Sequence, residues 1–316
     1  MKNPLCNEVL LIQPLTAEVD GLYSWFIANC VLNIFLSVTA IIFNVVTIQA
    51  LRRTLSLPET LKILLMSLAI SDLGVGFLVQ PLLVVLLFNW FRMSVENSST
   101  CAVYTAYTLF GTLHSSASFF GVMALSADRF LAIHLHLRYK ELITIKRAIV
   151  VLVIIWIIGA HSGTLWLYKP NLVKWNVIVI IQLCLMAAIV SYFQIYRAVT
   201  RAIHSELTMK CSVDQNCEAM NMARFKSHTL STFLVYCLIM LCYLPYFCVV
   251  VVIAVTGPSV PKRFAYDMTA VGVFINSSLN PLVYCWRLGD VRNAVRKTAK
   301  LMVPAKFRGG ETTMAP

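Results

Sequence analysis

Charge is what this sequence has little of. Only 13% of its 316 residues are Asp, Glu, Lys or Arg, against about 25% in an ordinary soluble domain. Fourteen acidic and 26 basic side chains cannot cover a soluble globule of this length. Disorder is excluded by the opposite test, since it needs low hydrophobicity and here 59% of residues are hydrophobic, with a mean hydropathy of +0.77. A basic stretch before the first apolar run is also missing: residues 1–20 hold Glu8, Glu18 and Asp20, so a cleaved signal peptide is not expected. No internal repeat, low-complexity tract or second soluble domain is visible. Neither HExxH nor GxSxG occurs, so a membrane-embedded hydrolase would lack its motif and no enzymatic activity is expected.

What the chain does have is long charge-free runs. They cover 21–51, 97–127, 148–168, 175–196, 227–261 and 268–286, with 63–91 interrupted only by Asp72. Each approaches or exceeds the roughly 20 residues a helix needs to cross a bilayer, which makes seven spans in order along the chain. Strands of a closed barrel would instead alternate over about 10 residues. The expectation is an all-α membrane protein, a seven-transmembrane helix bundle over residues 22–286 preceded by an extracellular segment, 1–21.

Orientation follows from Lys and Arg in the loops. Arg52, Arg53 and Lys62 follow span 1, Arg138, Lys140, Lys146 and Arg147 follow span 3, and Arg197, Arg201, Lys210, Arg224 and Lys226 follow span 5. With the tail from Arg287, 19 basic residues fall on one side against six on the other. The N-terminus is therefore expected outside and the C-terminus in the cytoplasm. The net charge of +12 and pI of 9.3 then describe a cytoplasmic face in contact with anionic membrane lipid, not a nucleic-acid patch. Of the ten cysteines, Cys30, Cys184, Cys237, Cys242, Cys248 and Cys285 lie in apolar runs, where a thiol acts as a small hydrophobe. Cys211 and Cys217 sit in a polar loop, and Cys6 and Cys101 remain as candidate extracellular partners.

Polar groups inside a span are costly unless they face the bundle interior and find partners, so each is a candidate functional residue. Asp72 in span 2 is the clearest. Its candidate partners are Asn44 in span 1, Ser118 in span 3, and Asn276, Ser277 and Asn280 in span 7, the last three sharing a helical face by their spacing. Two readings remain open on residues alone: interhelical hydrogen bonding that holds the bundle together, or coordination of a small hard cation by oxygens. Asp128 and Arg129, adjacent at the cytoplasmic end of span 3, fit an interfacial ion pair or an anchor for an inserted partner helix. Pro245 in span 6 and Pro281 in span 7 each mark a hinge or a packing bend.

Taken together, these residues resemble the class A, rhodopsin-like G-protein-coupled receptors, from about residue 22 to 302. Ser67-Leu68-Ala69-Ile70-Ser71-Asp72-Leu73 looks like the family's LAxxD pattern, and Asp128-Arg129-Phe130-Leu131-Ala132-Ile133 like its DRYxAI stretch. Trp156 occupies the place of the span 4 tryptophan, Cys242-Tyr243-Leu244-Pro245 resembles CWxP, and Asn280-Pro281-Leu282-Val283-Tyr284 is a full NPxxY. Residues 287–302, with Arg292, Arg296, Lys297 and Lys300, look like an amphipathic eighth helix on the inner leaflet, leaving 303–316 as a cytoplasmic tail.

The resemblance implies roles by position. Asp72, Ser118, Asn276, Ser277 and Asn280 match an allosteric sodium pocket, which favours the cation reading; no other cofactor is implied. Arg129 matches the residue that meets a heterotrimeric G protein after span 6 swings outward, with Tyr192, Tyr284, Pro245, Pro281 and Asp128 taking part in that rearrangement. Arrestin is implied as a further partner. An extracellular small-molecule or short peptide ligand would be lined by Gly111, Thr112, Ser115, Asn176, Tyr243, Tyr246, Phe247, Ala270 and Phe274.

That set is aromatic and hydroxylated, which suits a small, largely apolar ligand with one or two hydrogen-bonding groups. Gly111 stands where amine receptors carry aspartate, and Phe274 where a retinal-binding lysine would be. His114 reads as a hydrogen-bonded structural histidine. Asn97-Ser98-Ser99 is a glycosylation sequon on the outer side. The sequence also departs from the family. Phe130 replaces the usual tyrosine, His136 stands at a common loop proline, Tyr243 replaces the toggle tryptophan, and Cys184 replaces the span 5 proline. Arg224-Phe225-Lys226 stands where many members place an acid that restrains the span 3 arginine, so raised basal signalling is expected. The family's usual disulfide cannot form, because no cysteine occurs between 102 and 183, so Cys101 is expected to pair with Cys6. The alternative to a receptor is a seven-helix secondary transporter or ion-translocating protein, but inverted repeats are not evident and the span count is odd.

Overall fold

The computed structural model describes residues 16–54, 57–91, 98–135, 138–169, individual positions between 172 and 200, residue 238, and residues 241–257, 259–287 and 289–302. These residues are almost wholly helical. Span 1 is α1 (Thr16–Arg53). Span 2 begins as α2 (Glu59–Gly74), passes through a π-helical turn at Val75–Val79, and continues as α3 (Gln80–Phe91). Span 3 is α4 (Ser98–Leu135), followed by the short α5 (Tyr139–Leu142), and span 4 is α6 (Ile145–Tyr168). The described part of span 6 is α7 (Leu241–Thr256), span 7 is α8 (Val260–Arg287), and α9 (Gly289–Met302) follows directly. Span 5 lies mostly outside the described residues.

Four helices among the described residues are long and apolar enough to cross a bilayer: those of spans 1 to 4. Val31, Phe35, Phe77 and Ile157 point away from the bundle and are more than half exposed, an arrangement that is favourable in hydrocarbon and not in water. The helices outrun their charge-free runs, because backbone hydrogen bonding continues where apolarity stops. Thus α4 carries six residues beyond Arg129, and α8 takes in Lys262, Arg263 and Asp267.

Inside, a first cluster joins Leu61, Leu65 and Leu68 of α2 to Val122 of α4, Leu152 of α6 and Tyr284 of α8. A second cluster joins Phe26 and Leu36 of α1 to Leu83 and Leu87 of α3, Tyr107 of α4 and Phe274 of α8. Two glycines set the α4–α6 spacing. A Cβ on Gly159 would stand 3.1 Å from the Leu113 carbonyl oxygen, and one on Gly163 would stand 3.0 Å from that of Leu109. Small residues four apart let the backbones approach, a common device where lipid supplies no hydrophobic drive between helices. Thr144 caps α6, its side chain accepting the Arg147 amide.

The π-turn has a local cause. Pro81 has no amide hydrogen, so the carbonyls before it need other donors. The Gln80 amide reaches back five residues to the Val75 carbonyl, and the Ser37 hydroxyl of α1 donates to the Gly76 carbonyl at 2.7 Å. Gly76 is needed there, since a Cβ would meet the Ser37 carbonyl oxygen at 3.0 Å and Ala40 Cβ at 3.1 Å. α9 lies against α1, burying Val291 and Thr298 while Arg292, Arg296 and Lys297 stay exposed.

Candidate functional site

Asp72 lies near the end of α2, 0% exposed. The Ser118 hydroxyl of α4 donates to its Oδ1 and the Asn280 amide of α8 to its Oδ2, both at 2.8 Å. The Ser277 hydroxyl lies beside the carboxylate. One acid thus ties three spans together. Asn44 does not reach it: its amide donates to the Ala40 carbonyl at 2.9 Å and to the Ser277 carbonyl at 3.1 Å, fixing α1 to α8. Asn276, one turn before Asn280, is buried with neither end of its amide hydrogen-bonded. A buried carboxylate, two hydroxyls and an orphaned amide oxygen are hard oxygen donors, so these residues fit a small hard cation.

One turn above Ser118 on α4, His114 is held by shape. Its ring occupies the space a Cβ on Gly74 would need, 2.2 Å from that position, and stacks edge-on against Trp156 of α6 with centroids 5.8 Å apart. Its Nδ1 is buried without a hydrogen bond, so packing and not the expected hydrogen bond positions it. Trp156 donates from Nε1 to the Ser67 hydroxyl at 3.1 Å, linking span 4 to span 2.

The residues expected to line a ligand cavity are distributed as follows. Ala270 and Phe274 are buried in the second cluster. Gly111 faces Val79, where a Cβ would find Cγ1 at 3.6 Å, and Thr112 and Ser115 are half-buried. Tyr243 packs on Phe119 with ring centroids 5.1 Å apart, in the first cluster, and Phe247 packs against the same cluster. Tyr246 touches both clusters, and its hydroxyl lies 2.9 Å from that of Tyr266 in α8. Asn176 is exposed. A groove of about 660 Å³ along α1, lined by Ser24, Ile27, Ala28, Val31, Leu32 and Phe35, includes none of these residues.

Sequence reasoning missed the groups around Tyr266. Arg263 donates from Nε to Asp267 Oδ2 at 3.1 Å, and its guanidinium lies 5.3 Å from the Tyr266 ring centroid. The i, i+4 spacing of Arg263 and Asp267 was the available signal, hidden because both precede the charge-free run. A second omission is a stripe on α1. Trp25, Asn29, Asn33 and Ser37 recur every four residues on one face, and Asn29, Asn33 and Gln80 of α3 are completely buried.

Toward the C-terminal end of α4, Asp128 is buried and its Oδ1 accepts the Tyr139 hydroxyl at 2.6 Å. Tyr139 also lies 3.4 Å from Thr60 Oγ1, so the acid helps to dock the loop after α4 onto α2. The Arg129 side chain, Tyr192, Asn97 and Cys6 lie outside the described residues. Pro245 sits within α7 and Pro281 within α8. Tyr284 is buried with its hydroxyl unbonded. Cys101 is disulfide-bonded, to a residue outside those described.

A family model described as the 7 transmembrane receptor (rhodopsin family) matches residues 43–176. Among curated relatives, the adenosine receptor A3 of Ovis aries is 25% identical over 301 residues, covering 87% of this chain and 91% of its own. The histamine H2 receptor of Cavia porcellus is 26% identical over 287 residues, covering 84% and 77%. Melanocortin receptor 3 of Homo sapiens is 21% identical over 273 residues, covering 84% of each chain.

Proposed function

We propose that the chain is a member of the rhodopsin-like, class A family of G-protein-coupled receptors, which the matching family model and the adenosine, histamine and melanocortin receptor relatives support, and that it binds a small, largely apolar extracellular ligand and activates a heterotrimeric G protein by outward movement of span 6. The observation that carries this reading is the Asp72 network, in which one buried carboxylate is held by Ser118 and Asn280 from two other spans. Such a node holds spans 2, 3 and 7 in one arrangement, and a ligand that favours another arrangement shifts the equilibrium by its differential affinity.

The receptor sits in the plasma membrane with its N-terminus outside, as the loop charges support. Asp72, Ser118, Asn276, Ser277 and Asn280 would hold a sodium ion, which would stabilise the resting arrangement. Arg129 contacts the G protein, and the same cytoplasmic face takes arrestin. The exposed Arg292, Arg296 and Lys297 of α9 rest on anionic lipid. Relatives named for adenosine and histamine support a small ligand, while Gly111, in place of an acid, argues against an amine.

Cys101 is disulfide-bonded and the described Cys30, Cys242, Cys248 and Cys285 are free; its proposed partner is Cys6, which loop charge places on the same outer side. Non-reducing peptide mapping will return a Cys6–Cys101 linked pair; a link to any other cysteine contradicts the assignment. Asn97 carries the glycan. The coupling reading is tested by ligand-free cyclic nucleotide and calcium signalling in cells expressing wild type or Arg129→Ala at matched surface levels. A basal signal in the wild type that the substitution abolishes supports it, and wild-type signalling no greater than in mock cells removes the raised basal activity.

A further inference from the structure

An indole nitrogen only donates a hydrogen bond, whereas a phenol hydroxyl donates one and accepts others. Tyr243, in place of the toggle tryptophan, therefore puts an oxygen into span 6 where the family pattern has none. The packing of α7 decides what that oxygen meets. A Cβ on Gly272 of α8 would stand 3.3 Å from the Cys242 carbonyl oxygen and 4.0 Å from Cys242 Cα, so a glycine lets the two backbones close up beside Tyr243. One turn along α7, the Tyr246 hydroxyl lies 2.9 Å from that of Tyr266. These two contacts fix the register of α7 against α8.

At that register Tyr243 is 6% exposed, its ring against Phe119 of α4 with centroids 5.1 Å apart. Phe119 follows Ser118 in sequence. The Tyr243 hydroxyl lies beside the Ser118 hydroxyl and within the field of the Asp72 carboxylate. Ser118 already donates its proton to Asp72 Oδ1, so toward Tyr243 it can only accept. The phenol proton is directed at Ser118, and the lone pairs of the phenol oxygen stay available next to the buried acid. Small hard cations take such neutral oxygens together with carboxylates. The donors already placed around Asp72 come from spans 3 and 7, and Tyr243 adds one from span 6.

We propose that Tyr243 is a further oxygen ligand of the Asp72 pocket, contributed by span 6, so that a small monovalent cation bound there holds span 6 to spans 2 and 3 through one direct contact. The inference rests on the cation reading of that pocket. Span 6 cannot swing away from α4 without withdrawing this oxygen. The bound cation and the outward arrangement therefore oppose each other, each weakening the other by the same factor.

The test follows the melting of purified receptor in nanodiscs against sodium chloride, with choline chloride keeping ionic strength constant. The sodium concentration that gives half of the full stabilisation is read for each protein. Tyr243→Phe keeps the ring on Phe119 and removes only the oxygen, and Tyr243→Trp restores a donor that cannot accept. Both variants are expected to need about five- to tenfold more sodium, the effect of losing one contact of hydrogen-bond strength. Leu152→Ala removes apolar volume from the first cluster and no oxygen; it lowers melting in both salts and leaves the half-point unchanged, so lost packing and a lost ligand give different results. A wild-type half-point in the Tyr243 variants overturns the proposal while leaving the cation reading in place. Should Tyr243→Phe fail to fold, Tyr243→Trp decides by the same criterion. A wild type that melts alike in sodium and choline overturns the cation reading and this proposal with it. None of these readouts involves signalling, so G-protein coupling stands or falls separately.

Discussion

Gly159→Val is the substitution whose consequence the backbone geometry defines most sharply. A Cβ at this position would stand 3.1 Å from the Leu113 carbonyl oxygen, 3.3 Å from Leu113 Cδ1 and 3.6 Å from Leu113 Cα. Valine adds two methyl groups beyond that Cβ, and the nearest obstacle is main chain of α4, which no rotamer change moves. The α6 helix must shift outward, loosening the contacts that Leu152 and Ile155 make in the first cluster. Overpacking of this kind costs about 1–3 kcal/mol. At about 2–4 °C per kcal/mol, the melting temperature falls by roughly 5 °C. Gly159→Ala needs only a few tenths of an ångström of give, and the loss of a glycine from a helix returns about 1 kcal/mol, so its net effect is near zero. Ala160→Val, on the exposed face of the same helix, serves as the control and leaves melting unchanged. Thermal unfolding of purified receptor in one fixed lipid nanodisc reads all three. A Gly159→Val protein that melts with the wild type would show that α4 and α6 are not in backbone contact at this level.

Three further outcomes follow from single contacts. Ser37→Ala strips the Gly76 carbonyl of its donor beside Pro81, and a buried acceptor left unmet costs about 1–3 kcal/mol; melting falls by several degrees, and an unchanged value would mean the π-turn is satisfied in another way. Trp156→Phe keeps the ring against His114 but loses the bond to Ser67, lowering stability by about 0.5–1.5 kcal/mol, and Ser67→Ala in the same background adds little further. If Asp72 and its neighbours hold sodium, melting rises with sodium chloride but not with choline chloride in the wild type, and Asp72→Asn removes the difference; equal salt responses in both proteins would leave the pocket as interhelical bonding alone.

The spans were legible because crossing hydrocarbon demands some 20 apolar residues, and that demand is written in hydropathy. The Asp72 partners on α8 could be read from three- and four-residue spacing, which is how Ser277 and Asn280 come to face one acid. The same reasoning set Asn44 beside Asp72, but its amide is taken by the Ala40 and Ser277 carbonyls, because main-chain acceptors compete and spacing does not reveal them. Counting charge overlooked amides, so the Asn29, Asn33 and Gln80 stripe passed as part of apolar runs. Pro81 passed unremarked within span 2, and the π-turn before it and its repair by Ser37 depend on which helix lies alongside. Gly159 and Gly163 carry no side chain to mark their role, which exists only in the approach of α4.

The central claim, that this chain is a G-protein-coupled receptor, is tested most directly by nucleotide exchange on purified heterotrimeric G proteins. Receptor in nanodiscs, without ligand, is mixed with a panel of heterotrimers, and binding of a non-hydrolysable GTP analogue is followed over time. The account predicts faster exchange on at least one heterotrimer with the wild type and loss of that acceleration in Arg129→Ala of equal thermal stability. Exchange accelerated equally by both proteins, or by neither across the whole panel, would contradict it.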